Sequence, residues 1–225
     1  MAQSWHDLLF MHWPLPSVAV RALVPQQLEL DLWDKQAWVA VVPFWMSGVR
    51  ARGTPTIPGL SKFPELNVRT YVRYGGKPGV YFFSLDAASL PAVWAARAFY
   101  HLPYFHARMS AKADGDAVSY TSDRLSGRAE FRGRYGPNRP MELRIKGTIE
   151  NWLTERYCLY TEHRGSVYIG EIHHAPWPLQ DASAEIECNT MARAVGITLP
   201  DTSPLLHFAR RIDVLIWPIR GAGRV

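Results

Sequence analysis

Four residues at two-residue spacing, Glu65, Asn67, Arg69 and Tyr71, offer the most chemistry in this chain. On an alternating strand they share one side, and Leu66, Val68, Thr70 and Val72 share the other. On an ordinary half-exposed strand the polar set simply meets water. Turned into a barrel, the same set supplies an acid/base in Glu65, an amide in Asn67 and an anion clamp in Arg69. The planar guanidinium suits that clamp because it binds a carboxylate through two parallel hydrogen bonds. Tyr71 would help to shape such a pocket. Histidines form a second group. His173 and His174 are adjacent, so on a strand they point to opposite faces and do not share a metal. One of them facing a cavity and a hydrogen-bonded core histidine are both open readings. His101 and His106 flank the corner at Leu102-Pro103 and could join His173 only through the fold. Glu155-Arg156-Tyr157 reads as a structural ion pair by default, or as a ligand contact. A GxSxG elbow, a phosphate loop, a dinucleotide fingerprint and zinc-ligand spacing are all absent from the sequence.

The polar set sits on a predicted strand, Leu66–Tyr74, and Gly75-Gly76 supplies the positive φ angles of a tight hairpin into Val80–Leu85. Ser89 caps a helix predicted over Leu90–His101, with Pro91 tolerated in its first turn, and Pro103 forces an extended exit. Tyr104–Ala111, Ala117–Arg124 and Arg128–Tyr135 form a predicted antiparallel meander. Ala37–Phe44 is an apolar strand buried on both faces. Val24–Leu28 reads as a turn into a short helix, Arg50–Gly59 as a mobile loop, and Thr148–Thr154 as a short helix. Tyr157–His163 and Val167–His173 make another hairpin. A helix over Ala184–Val195, closed by Gly196, and a final strand over Arg211–Trp217 complete the expected elements. Many strands with a few short helices imply an α+β, mainly antiparallel barrel or sandwich.

Composition narrows the function classes. The 225 residues carry a net charge of +5, and the excess comes from arginine, scattered with no run longer than Arg210-Arg211. Nucleic-acid binders concentrate charge on a patch, so no nucleic-acid partner is expected. Nine Trp, ten Tyr and nine Phe can fill a wide core or line an apolar cavity. The longest apolar run, Ala37–Met46, is broken by Pro43 and is too short to span a bilayer, so no membrane association is expected. The first residues lack a basic region and a clean apolar core, and Cys158 and Cys188 have no metal-ligand spacing. These features predict one domain over residues 1–225, cytoplasmic, with free, mostly buried thiols and no internal repeat.

Several segments carry a family resemblance: VVPF at Val41–Phe44, FPELNVRTYV at Phe63–Val72, GVYFFSLDA at Gly79–Ala87, LPYFHA at Leu102–Ala107, LTERYCLY at Leu153–Tyr160 and IHHAPWPLQ at Ile172–Gln180. Together they resemble the YqjF-like family of uncharacterised proteins over nearly the whole chain. The order of elements also resembles the acetoacetate decarboxylase-like fold. That resemblance implies an antiparallel β-barrel or cone with peripheral helices and turns the Glu65 face inward. Glu65 matches the early cavity glutamate of the decarboxylases. Tyr104 and Phe105 stand where those enzymes carry a lysine pair. Tyr and Phe cannot form an imine, and neither Lys62 nor Lys146 has an adjacent lysine to depress its pKa, so Schiff-base chemistry is not expected.

The leading expectation is a cavity that binds, or converts without lysine, a small organic acid or carbonyl compound. Glu65 and Tyr104 are the candidate catalytic residues. Asn67, Arg69, Tyr71, Phe105 and His173 are the candidate binding residues, and no metal or cofactor is assigned. A second expectation is a non-catalytic sensor that kept the cavity after losing the lysines. A third is a metal-assisted reaction through His173. Beyond a ligand, the partner expected is at most another copy of the chain in a homo-oligomer. A perturbed Glu65 pKa favours the acid/base reading, and a Glu65–Arg69 pair favours simple binding.

Overall fold

The strand that carries the polar set is one wall shared by two closed rings of strands. The computed structural model describes residues 1–57, 61–140 and 147–223. β1 (Ala2–Pro16) runs antiparallel between β3 (Gln36–Arg50) and β12 (Leu205–Ile216). β4 (Phe63–Tyr74) pairs with β3 and, through the Gly75-Gly76 turn, with β5 (Lys77–Ala87). Both turn glycines have positive φ, +55° and +76°. The helix α2 (Leu90–Tyr100) carries the chain over to β6 (Tyr104–Asp114), which lies parallel to β5. β7 (Ala117–Arg124) and β8 (Glu130–Pro140) complete the expected meander, and β11 (Leu179–Asn189) joins β8 to β12. With the β4–β5 pairing, nine strands close into a mixed barrel: β1, β3, β4, β5, β6, β7, β8, β11 and β12.

The hairpin of β9 (Cys158–His163) and β10 (Ser166–His174) bridges β5 to β12, parallel on one side and antiparallel on the other. It closes a second ring of seven strands: β1, β3, β4, β5, β9, β10 and β12. Short strands β2 (Glu29–Leu30) and β13 (Arg220–Gly221) decorate β4 and β10. Alternation assigns each face of the shared strands to one ring. Leu9, Met11, Val39, Val41, Leu66 and Val68 pack with Tyr120, Phe131, Tyr135 and Phe208 in the nine-strand barrel. Leu8, Phe10, Ala40, Val42 and Phe44 pack on the other side. A strand covered on both faces reads as a continuous apolar run, which is why Ala37–Phe44 shows no polar face.

Three expectations are corrected. The Ala184–Val195 helix does not form: the segment is the end of β11 followed by a turn and a 3₁₀ turn over Arg193–Val195. Ala182 and Ala184 pack inward while Ser183 and Glu185 face out, so this stretch satisfies a two-residue period as readily as a helical one. Gly196 still ends the segment, in the left-handed conformation at φ +81°. Second, the helix expected near Val24–Leu28 lies earlier, as α1 (Ser17–Arg21). The Arg21 guanidinium donates to the carbonyls of Val24, Pro25 and Leu28 at 2.5–2.6 Å and holds that segment as turns. Third, β1 was not anticipated at all. Ser89 caps α2 as expected, its Oγ accepting from the Ala92 N–H, and Thr148 caps α3 (Ile149–Thr154) in the same way. Part of the Arg50–Gly59 loop lies outside the described residues.

Candidate functional site

Glu65, Asn67 and Arg69 project from β4 into a cavity of about 500 Å³ inside the seven-strand ring. All seven strands contribute to its wall, and α2 lies across its mouth. Two irregularities re-aim side chains into it. A register shift between β4 and β5 at Val68/Arg69 lets Phe82 and Leu85, three residues apart, both face inward. A second shift in β1, between His6 and Met11, does the same for Trp5 and Leu8. Bulges commonly serve this purpose. Asp7 holds the β1 bulge at φ +50°, its carboxylate accepting from Trp45 Nε1 at 2.9 Å and from Arg210 at 2.7 Å.

The electrostatics of this wall are unusual. Glu65 is 4% exposed, and Tyr104 Oη donates to its Oε2 at 2.7 Å. Burial pushes the Glu65 carboxyl up to about 8; the Tyr104 hydrogen bond opposes that shift, and the nearby Asp86 charge adds to it. Asp86 is itself buried and held by Arg124 through Nε at 2.9 Å and Nη2 at 2.6 Å. Arg69 is 9% exposed, and its Cζ lies 5.5 Å from the centre of the Phe10 ring. Its Nε has no hydrogen-bond partner, nor has Oδ1 of Asn67. Among the described residues no carboxylate pairs with Arg69. The expected Glu65–Arg69 pair is therefore not formed. Four strand positions separate them by about 13 Å at the backbone, and Tyr104 takes the Glu65 carboxyl instead. The guanidinium is thus buried without a counter-charge, beside an amide whose Oδ1 acceptor is free.

Tyr71 continues the same face but lies beneath the cavity rather than in its wall. Its Oη is 2.7 Å from Nε2 of His12, which is fully buried and whose pKa burial drives well below the usual histidine range. Arg156 covers the Tyr71 ring at 5.1 Å and is paired with Asp31 at 2.5 Å. Tyr71, held between His12 and Arg156, hydrogen-bonds Arg69 from below. The ion pair expected around Glu155-Arg156 thus exists for Arg156, with Asp31 as the partner. His12 had no signal in the sequence, because the strand that carries it was not recognised.

Two binding candidates are corrected. Phe105 follows Tyr104 on β6 and so faces the opposite way, where the Arg124 guanidinium lies 4.0 Å over its ring. His173 is exposed on the outer face of β10, beside Lys77 and Trp217, while its neighbour Ile172 faces the cavity. His174 is buried and stacks on Tyr157 at 4.7 Å. His101 stacks on His163 at 4.1 Å, not on His173. Among the described residues no cluster of three metal-ligating side chains occurs. No described lysine lines the cavity: Lys62 lies 4.6 Å over the Trp45 ring, and Lys77 binds Glu171 at 2.7 Å. Lys146 falls outside the described residues.

Comparison with known proteins agrees with this architecture. The model of the family DUF2071, described as an uncharacterized conserved protein, matches residues 2–213. The uncharacterized protein YqjF of Bacillus subtilis (strain 168) is 52% identical over 221 residues, covering 98% of this chain and 91% of that protein. Among solved structures, the enduracididine biosynthesis enzyme MppR complexed with pyruvate superposes with a TM-score of 0.70 at 9% identity, covering 99% of this chain and 90% of that one. Acetoacetate decarboxylase from Legionella pneumophila gives 0.65 at 13% identity, covering 99% and 87%. At these identities the likeness establishes the acetoacetate decarboxylase-like fold. No described helix is long and apolar enough to cross a membrane.

Proposed function

The chain belongs to the DUF2071 family, and from that premise we propose that its cavity binds a small organic acid or carbonyl compound and moves a proton on it without a lysine. The observation that carries this reading is Arg69, buried in the cavity wall with no carboxylate partner. An anionic ligand group supplies the missing counter-charge, and Asn67 hydrogen-bonds beside it. Glu65, with its carboxyl pushed up to about 8, is present in both protonation states near neutral pH: as carboxylate it takes the proton next to the ligand carbonyl, and as the carboxyl so formed it returns a proton to the same carbon. Tyr104 fixes the Glu65 rotamer and stays protonated, since burial and the adjacent carboxyl raise its pKa well above the phenol value. The complex of a structural neighbour with pyruvate supports the ligand class.

A binding module without chemistry is the second reading, and the absence of a lysine from the described lining favours it. The two part on Glu65. With ligand acids carrying a proton next to a carbonyl, wild-type protein should speed exchange of that proton for solvent deuterium, read by NMR. Glu65→Gln should lose the exchange and keep binding. If wild type binds these acids and exchange stays at the solvent rate, the module reading replaces the enzyme reading. Arg69→Lys keeps the charge and loses the planar fork, so it should weaken carboxylate binding about tenfold or more in a thermal-shift titration. Equal stabilisation of wild type, Arg69→Lys and Arg69→Leu by the same acid removes Arg69 as the clamp.

A further inference from the structure

The cavity carries its acidic and guanidinium side chains on one wall only, with Gln3 of β1, Tyr100 of α2 and Tyr104 of β6 adding polar groups elsewhere. Among the described residues its lining contains one carboxyl and one guanidinium side chain, Glu65 and Arg69, both on β4. Around them stand Trp5, Phe44, Phe63, Phe82, Leu85 and Ile216, from four other strands and from β4 itself. Strand register orders these groups by depth. On β4, Arg69 lies deepest, above the Tyr71–His12 floor; Asn67 and Glu65 follow, and Phe63 is nearest the mouth. Across β3 the same order runs from Val42, opposite Asn67, through Phe44, opposite Glu65, to Met46, opposite Phe63. The mouth is apolar as well. Met46, Val49, Pro218 and Ile219 line it, and α2 lies over it with Phe99 72% and Trp94 67% exposed.

We infer that the ligand of this site is an amphiphilic monocarboxylic acid, such as a medium-chain or aryl-alkanoic acid, bound carboxylate first with its apolar tail running from Arg69 toward α2. The inference rests on the anion-clamp reading of Arg69 and deepens it. A single guanidinium at the bottom, with no carboxylate partner among the described residues and its Nε free, accommodates one anionic group. The other ionisable groups beside it do not match a second one: Glu65 is a carboxyl held by Tyr104, and the Met1 ammonium donates to the Ile216 carbonyl. A two- or three-carbon acid seated on Arg69 leaves the aromatic and aliphatic upper wall covering water. An extended tail covers that wall, and the volume of about 500 Å³ lies within the range of sites that enclose drug-sized ligands. Hydrocarbon transferred from water to such a wall strengthens binding roughly fourfold per methylene. Tails pass Asn67 and Glu65 on the way out, so a carbonyl or hydroxyl on the chain meets the Glu65–Tyr104 pair, well above the carboxylate.

Calorimetric titration of the whole protein with acetate, butanoate, hexanoate, octanoate, pyruvate and methyl octanoate tests this. Affinity should climb about fourfold per methylene from butanoate to octanoate. Methyl octanoate should bind at least tenfold more weakly than octanoate, and Arg69→Leu should erase that difference. If pyruvate or butanoate binds in an Arg69-dependent way and the series is flat with length, the clamp stands and the amphiphile inference falls. If octanoate and its methyl ester bind wild type equally, the clamp itself falls, whatever the slope. Should Arg69→Leu fail to fold, the acid-to-ester comparison on wild type decides that point alone. Failure of every compound in the series to bind overturns the inference.

Discussion

Well below pH 4.5 the Glu65 carboxyl is neutral whether the chain is folded or not. As pH rises, the unfolded chain ionises first, while the folded chain holds the proton to about pH 8. Folding stability therefore falls between these two values and levels off above, with an upper limit of about 5 kcal/mol for a fully buried group. Glu65→Gln removes this limb and can still accept the Tyr104 hydrogen bond. The variant should match wild type near pH 5 and exceed its denaturant midpoint at pH 8.5; equal midpoints at both values would falsify the raised pKa. The polar set itself was legible, because a two-residue period fixes which side chains share a face. Where that face points was not, since the same alternation describes a solvated strand, and only the family resemblance turned it inward. Phe105 and His173 were misassigned for one reason. Each neighbours a cavity residue, Tyr104 or Ile172, and adjacent strand residues face opposite ways. Tyr71 was placed on the correct face but too shallow, since nothing local announces His12 and Arg156 beneath it.

The seam between β5 and β9 sets a different constraint. A Cβ at Gly79 would stand 2.7 Å from the Cys158 carbonyl oxygen, its Sγ and the Tyr160 ring. All three atoms belong to β9, a buried, paired strand, so there is little room to yield. Gly79→Ala should cost about 1–3 kcal/mol by overpacking and loosen the β9–β10 hairpin. Urea denaturation and proteolysis between Arg156 and His163 read the two effects; unchanged stability would show that the hairpin can shift outward freely. Cysteine reactivity reports on the same elements. Cys158 is buried and donates to the Pro78 carbonyl at 3.2 Å, whereas Cys188 is half-buried on β11 instead of inside a helix. A thiol reagent should modify Cys188 in the native protein and Cys158 only on unfolding. The α2 cap, hairpin turns and the meander were readable because Ser89, Gly75-Gly76 and Arg164-Gly165 act through local geometry. β1 and β11 were not, because their pairing partners lie far along the chain and their local patterns are ambiguous.

Across the whole molecule the two rings divide the work. The nine-strand barrel is filled by aromatic and aliphatic side chains, and the seven-strand ring is left partly open around the polar wall. Its polar groups shape the response to pH. Burial holds His12, His174 and His207 below the usual histidine pKa of 6.5. The unfolded chain takes up those protons first, so their contribution is present above pH 6.5 and is lost as pH falls below it. Glu65 acts in the opposite sense up to about pH 8. Stability should therefore peak near pH 6.5 and decline on both sides, and denaturant midpoints from pH 5 to 9 measure it. A plateau running from pH 6.5 to 9 would contradict the Glu65 contribution.

The pairing of β1 with β12 places Ala2 opposite Leu215 and His12 opposite Leu205. Both rings include that seam, so neither can close on the ribosome until nearly the last strand has emerged. During synthesis β1 can pair with β3 soon after it appears, but its other edge stays open while more than a hundred residues are added. At usual elongation rates of about 5–20 residues per second this exposure lasts on the order of ten seconds or more. An unpaired apolar edge is a template for association with other chains. Nascent chains of this protein should accordingly depend on holdase protection more than equally long proteins with local pairing, and slowing translation should lower soluble yield.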